Sequence, residues 1–160
     1  MLYEVQGNLV EDEKYNIFCH QTNCMGVMGS GLALQIATKY PAVAHRNKEF
    51  CEHTNALGRI LTVRAGNRIC VNLYGQYDYG RLPNRVYTDY DALRSAFDEL
   101  ARRINKSNIP DSWIIGVPYK IGCGLAHGSW HIIHDIIKDF AEEVRLNVYI
   151  VRLGGKEESK

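Results

Sequence analysis

His20-Gln21-Thr22-Asn23-Cys24-Met25-Gly26-Val27-Met28-Gly29-Ser30-Gly31-Leu32-Ala33 is the stretch on which the reading of the fold turns. Behind it runs Tyr15-Asn16-Ile17-Phe18-Cys19-His20, short and apolar in the manner of a buried strand. Ahead of it Leu32, Ala33, Ile36 and Ala37 recur at helical spacing until Pro41 breaks the pattern, and a second helical stretch runs from about Ala42 to His53. A strand therefore empties through glycines 26, 29 and 31 into a helix. Glycine there removes Cβ obstruction and admits positive φ, so backbone N–H groups can converge on an anion at the helix N-terminus, with a diphosphate the natural guest. Neither the Gly-Lys-Ser/Thr of a P-loop nor the GxGxxG dinucleotide spacing is present, and this loop alone leaves a plain tight turn open.

The same device recurs downstream. Trp113-Ile114-Ile115-Gly116-Val117 is a fully apolar strand leading into Tyr119-Lys120-Ile121-Gly122-Cys123-Gly124-Leu125, and Ser129 then starts a helix striped by Ile132, Ile133, Ile136, Ile137 and Phe140. Leu2 to Val5 and Asn147 to Leu153 read as strands, and Arg59–Arg64 with Arg68–Tyr74 as a hairpin across Ala65-Gly66-Asn67. Gly75 to Tyr87 is irregular and reads as a functional loop. Thr88 is placed as the cap of the next helix, with Asp91 three residues on and Leu93, Phe97, Leu100, Ala101 and Ile104 on its buried face. Strands alternating with helices predict one α/β domain over 1–153, its sheet covered on both faces, with 154–160 a polar tail. Both glycine loops then fall at the carboxyl ends of strands, where α/β sheets bind ligands.

Composition limits the partners. The chain has 160 residues, 46% of them hydrophobic, and 19 Lys+Arg against 18 Asp+Glu give a formal charge of +1. That balance, with no basic cluster, disfavours a polymer nucleic-acid track or an acidic membrane surface. No apolar run has the length of a spanning helix and the N-terminus has no signal-like pattern, so the expectation is a cytoplasmic protein. Five cysteines without a CxxC pair suit reduced thiols better than a disulfide scaffold or zinc ribbon.

Candidate chemistry gathers at the strand ends. His20 has the pKa range of a general acid or base, and the amides of Gln21 and Asn23 suit sugar hydroxyls; a structural polar turn is the competing reading. Cys24 and Cys123 are read as buried and inert rather than nucleophilic. His127, His131 and His134 have helical spacing, but a helix starting at Ser129 leaves His127 outside it, so no metal is expected. Tyr77, Tyr79, Tyr87 and Tyr90 are candidates to wall a nucleotide site.

Taken together, these segments resemble a macro domain, the ADP-ribose-binding fold, over nearly the whole chain from Val5-Gln6-Gly7-Asn8-Leu9 onward. His20 to Ala33 resembles the HxxNCxGxxGxGIA pattern of the branch that processes ADP-ribose 1''-phosphate, and Ile121-Gly122-Cys123-Gly124-Leu125 resembles the second phosphate loop. The resemblance implies a three-layer α/β/α sandwich with a mixed, mostly parallel sheet. It places Asn8 and Leu9 at the adenine, with Asn8 where macro domains carry an acidic residue, and Asn23 at the distal ribose. It assigns Gly29, Ser30, Gly31, Leu32 and Ala33 to the first phosphate loop, and Ile121, Gly122, Cys123, Gly124 and Leu125, next to Tyr119, to the second. The implied activity is a phosphatase converting ADP-ribose 1''-phosphate to ADP-ribose and phosphate without a cofactor, with His20 catalytic and Asp78 and His127 secondary candidates. A non-catalytic ADP-ribose reader, and a hydrolase acting on ADP-ribosylated macromolecules or O-acetyl-ADP-ribose, are the alternatives. The lysine-dependent glycohydrolase mechanism is not expected, because Gly75-Gln76-Tyr77 and Ala126 stand where that subgroup carries its lysine and acidic partner.

Overall fold

Strand β2 (Ile17–Gln21) lies near the middle of a six-stranded sheet and its residues alternate between two buried faces. The computed structural model describes residues 1–154, and its sheet runs β1-β6-β5-β2-β4-β3. The other strands are β1 (Leu2–Gln6), β3 (Ile60–Ala65), β4 (Arg68–Leu73), β5 (Ile114–Pro118) and β6 (Asn147–Arg152). Every neighbouring pair is parallel except the β3–β4 hairpin, which registers Ile60 with Leu73 and Ala65 with Arg68. Residues 155–160 of the expected polar tail lie outside the described residues.

Period-2 alternation sorts the sheet into two cores. Ile17, Cys19, Val71, Leu73, Ile115 and Val117 pack against α3 (Tyr90–Asn105) and α4 (Trp130–Glu143). Phe18, Cys70, Leu61 and Val63 pack against Ile36 of α1 (Gly31–Lys39) and Val43 of α2 (Pro41–His53). The expected three layers, with helices on both faces of a mostly parallel sheet, are therefore present.

Two helix starts differ in detail from the sequence reading. Asp89, not Thr88, caps α3, accepting from the Ala92 N–H at 3.0 Å. Thr88 instead donates its hydroxyl to the Gly122 carbonyl at 2.7 Å. Ser129 occupies the N-cap position of α4, yet its hydroxyl caps nothing; its N–H donates to the Tyr90 hydroxyl.

One buried cation fixes the connection from β1 to β2. Arg68 is 2% exposed, stacks over the Phe18 ring with its guanidinium carbon 4.0 Å from the centroid, and donates to the carbonyls of Leu9, Val10 and Tyr15 at 2.7–2.8 Å. No carboxylate faces it among these partners; three carbonyl dipoles and a ring face take the place of water. Arg68→Met leaves those carbonyls without donors and is expected to cost about 2–4 kcal/mol. Urea unfolding of the variant measures this, and Arg68→Lys should recover little, because one ammonium cannot serve three carbonyls and a ring at once.

Candidate functional site

At the carboxyl ends of β2, β4 and β5 the connecting loops enclose a cavity of about 820 Å³. That volume lies in the range that holds a nucleotide-sized ligand. Asn23 organises its first wall: Oδ1 accepts from the N–H groups of Met25 (2.9 Å) and Val27 (3.4 Å), while Nδ2 donates to the Val27 carbonyl. This local hydrogen bonding turns the chain so that Gly29, Ser30 and Gly31 reach α1 along the cavity. Gly31 has φ +56, a left-handed conformation that suits glycine. The N–H groups of Gly29, Ser30, Gly31, Leu32 and Ala33 have no partner among the described residues, as expected at a helix start.

The second wall runs from Pro118 to Ala126. Lys120 and His127, both at φ +58, bend the chain at either end of it, and Gly122 has φ +74. A Cβ at Gly122 would sit 2.9 Å from Gln21 Oε1 and 3.0 Å from Thr88 Oγ1, so the loop closes only on glycine. The N–H groups of Ile121 and Cys123 are used within turns, to Pro118 and Lys120. Those of Gly122, Gly124 and Leu125 have no partner among the described residues. Two sets of backbone donors therefore border one cavity.

Most of the residues singled out from the sequence meet here. His20, Gln21, Asn23, Gly29 to Ala33, Tyr119, Ile121, Gly122, Gly124 and Leu125 line the cavity; Asn8, Leu9, Asp78, Cys123 and His127 do not. Asn8 Oδ1 accepts from Val10 and Glu11 N–H, so the carbonyl expected at adenine already has two donors. Asp78 bonds the Tyr79 N–H and lies 3.7 Å from Arg85, and His127 Nδ1 bonds the Arg85 carbonyl. Of the four tyrosines only Tyr79 reaches the wall. Sequence reasoning missed Thr22, Val27, Gln76, Arg81, Pro118 and Lys120; Gln76 and Arg81 lie in the irregular segment that was legible as a functional loop, and Pro118 and Lys120 adjoin Tyr119.

His20 has an unusual setting. It is 2% exposed, and its Nε2 lies 2.5 Å from Asn72 Oδ1. Asn72 Nδ2 donates to Asn47 Oδ1, which also accepts from the Tyr74 hydroxyl at 2.6 Å, so Oδ1 of Asn72 is the acceptor and His20 carries its proton on Nε2. Nδ1 is left as a buried atom without a partner. Burial holds the imidazole pKa down to about 4, partly opposed by the bond to Asn72. Gln21 donates through Nε2 to Gln76 Oε1 and Thr88 Oγ1, both at 2.9 Å, leaving its unpartnered Oε1 able only to accept. All five cysteines are free, and burial raises the Cys24 thiol to about 11 and raises Cys123 as well, against a nucleophilic role.

Among the described residues the wall includes Arg81 and Lys120 and no carboxylate. The fold and site thus define an α/β domain whose cavity, bordered by unpartnered main-chain amides, suits an anionic, nucleotide-sized ligand. The comparisons narrow the class. A relative in Saccharomyces cerevisiae (strain YJM789), an ADP-ribose 1''-phosphate phosphatase, is 37% identical over 171 residues, covering 91% of this chain and 96% of the relative. The macrodomain of Mycobacterium tuberculosis DarG matches with a TM-score of 0.80 at 20% identity over 96% of this chain and 98% of that one. The macrodomain of Thermus aquaticus DarG matches at 0.77 and 25%, over 94% and 97%. No protein-family model matches the chain. The chain belongs to the macro domain family.

Because His20 is neutral when folded and takes a proton near pH 6.5 when unfolded, the unfolded state binds more protons between about pH 6.5 and 4. Stability is full above that window and falls as the pH drops through it, by up to about 1.4 kcal/mol per pH unit from this group. Denaturant unfolding across pH 7 to 4.5 should show a shallower acid decline for His20→Asn than for the parent chain. Equal slopes would contradict the buried, neutral imidazole.

Proposed function

We propose that the protein is a phosphatase that hydrolyses ADP-ribose 1''-phosphate to ADP-ribose and inorganic phosphate. The observation that carries this reading is the pair of backbone-amide sets, Gly29 to Ala33 and Gly122, Gly124 and Leu125, unpartnered among the described residues and bordering one cavity whose described wall holds no carboxylate. Such donors stabilise a diphosphate through fixed dipoles that need no reorganisation. The S. cerevisiae relative's name supports the terminal phosphate as the group removed.

In this reading the diphosphate spans the two loops, Asn23 and Gln21 lie beside the distal ribose, and adenine extends past Tyr119 toward Asn8 and Leu9. Asn8 then contributes Nδ2 as a donor, its carbonyl being in use. Water attacks phosphorus and gives up a proton, the bond from phosphorus to the bridging oxygen on C1'' breaks, and that oxygen takes a proton from solvent water as the new hydroxyl. A His20 pKa near 4 leaves no proton to give at pH 7, so of acid, base and nucleophile the acid role drops out. A nucleophile needs a phosphoryl group brought against the buried Nδ1, whereas a base needs only one water admitted to it, a smaller guest, and we assign that role. Asp78 and His127 are paired with Arg85 and stand back from the chemistry. Free thiols suit a reducing compartment, and we assign the activity to the cytoplasm.

Phosphate release from ADP-ribose 1''-phosphate, with calorimetric titration of ADP-ribose alongside, tests the reading. His20→Asn should fold, bind ADP-ribose and turn over roughly 100-fold or more slowly; unchanged turnover removes His20 from the mechanism, and tight binding with no release by the parent chain makes the protein a reader. Exposed Tyr77, Tyr79, Leu82 and Val86 beside the cavity favour one second reading, in which ADP-ribose attached to a macromolecule is bound or removed. Loss of label from a panel of ADP-ribosylated proteins and oligonucleotides checks it.

A further inference from the structure

Sheet order arranges the cavity from end to end. The strands deliver their carboxyl ends in the sequence β6, β5, β2, β4, so the loop after β5 with Lys120, the loop after β2 with Asn23 and the loop after β4 with Arg81 follow one another along the mouth. Lys120, on the loop after β5, and Arg81, on the loop after β4, are the lysine and arginine among the described lining residues. Lys120 lies over the Tyr119 ring, 5.6 Å from its centroid. Arg81 has no hydrogen bond, ion pair or ring contact among the described residues. Its neighbour Arg85 differs: that guanidinium lies 3.7 Å from Asp78 and 4.5 Å from the Tyr87 ring centroid.

The segment presenting Arg81 is held at both ends. Gln76 bridges to Thr88, the Cys24 N–H donates to the Tyr77 carbonyl, and the Tyr87 N–H donates to the Ala126 carbonyl. Between these anchors the chain turns at Leu82, whose N–H bonds the Tyr87 hydroxyl. A turn anchored to both glycine loops thus holds an uncommitted guanidinium in the wall of a cavity that has no carboxylate among its described residues. A planar fork of five donors suits a phosphate dianion.

We propose that Arg81 is the specificity-determining residue for the terminal phosphate: it binds the 1''-phosphoryl oxygens and distinguishes the phosphorylated substrate from ADP-ribose. This inference rests on the phosphatase reading. In that reading the diphosphate and distal ribose lie along the loops of Gly29–Ala33, Asn23 and Gly122–Leu125 rather than against Arg81, so its loss acts on one ligand and not on the other.

The test is calorimetric titration of ADP-ribose and of ADP-ribose 1''-phosphate into the slow His20→Asn protein with and without Arg81→Gln. The proposal expects affinity for the phosphorylated ligand to fall roughly 10- to 100-fold, affinity for ADP-ribose to stay within about twofold, and Arg81→Lys to recover part of the loss. Lys120→Gln, on the loop after β5, should weaken both ligands by the same factor. Unchanged affinities, or an equal loss for both ligands in Arg81→Gln, overturn the assignment. Phosphate release by the parent chain is scored separately: its absence defeats the phosphatase reading, while the ratio of the two affinities still judges Arg81.

Discussion

Strand β2 pairs in parallel with β4 through Ile17 to Gln21 and with β5 through Ile17 and Phe18, and everything above the sheet depends on that double pairing. Three parallel strands end together and cannot turn back into their neighbours, so each must leave through a crossover that begins at the same edge. The first residues of those crossovers form the cavity. Since parallel strands are buried on both faces, the strand ends are also the first place where polar side chains meet an opening.

That constraint explains the electrostatics of the site. The chain is almost neutral, and the cavity wall contributes two cations and no acid among the described residues. The unpartnered N–H groups at its border add main-chain dipoles, which do not appear in a count of charges. Deeper down, His20, Asn72, Asn47 and Tyr74 form a buried polar cluster between β2, β4 and α2. The cluster fixes the His20 tautomer and leaves Nδ1 as its basic atom, while burial keeps the ring neutral. Orientation and protonation state are thus set by the same contacts.

The architecture and both glycine loops were legible in the sequence because they follow from local pattern: apolar runs, helical stripes, and glycines between them. The hairpin at Ala65-Gly66-Asn67 and the helix after Ser30 were readable for the same reason. Long-range pairing was not. Arg68 reads as a surface residue at a strand start until its three carbonyl partners, more than fifty residues away, are in place. Asp89 displaced Thr88 as a cap because Thr88 has a tertiary partner in Gly122. His20 was legible as a site residue, but its burial depends on Asn72, brought beside it by strand register alone. Arg81 lay in a segment readable as a functional loop, yet only the folded structure brings it into the cavity wall.

The central claim is that two backbone loops hold the diphosphate of one ligand. A crystal structure of the protein with ADP-ribose tests it most directly. The account predicts diphosphate oxygens within hydrogen-bonding distance of N–H groups in both Gly29–Ala33 and Gly122–Leu125, with the distal ribose beside Asn23. A diphosphate held by side chains elsewhere, or touching one loop alone, would contradict it.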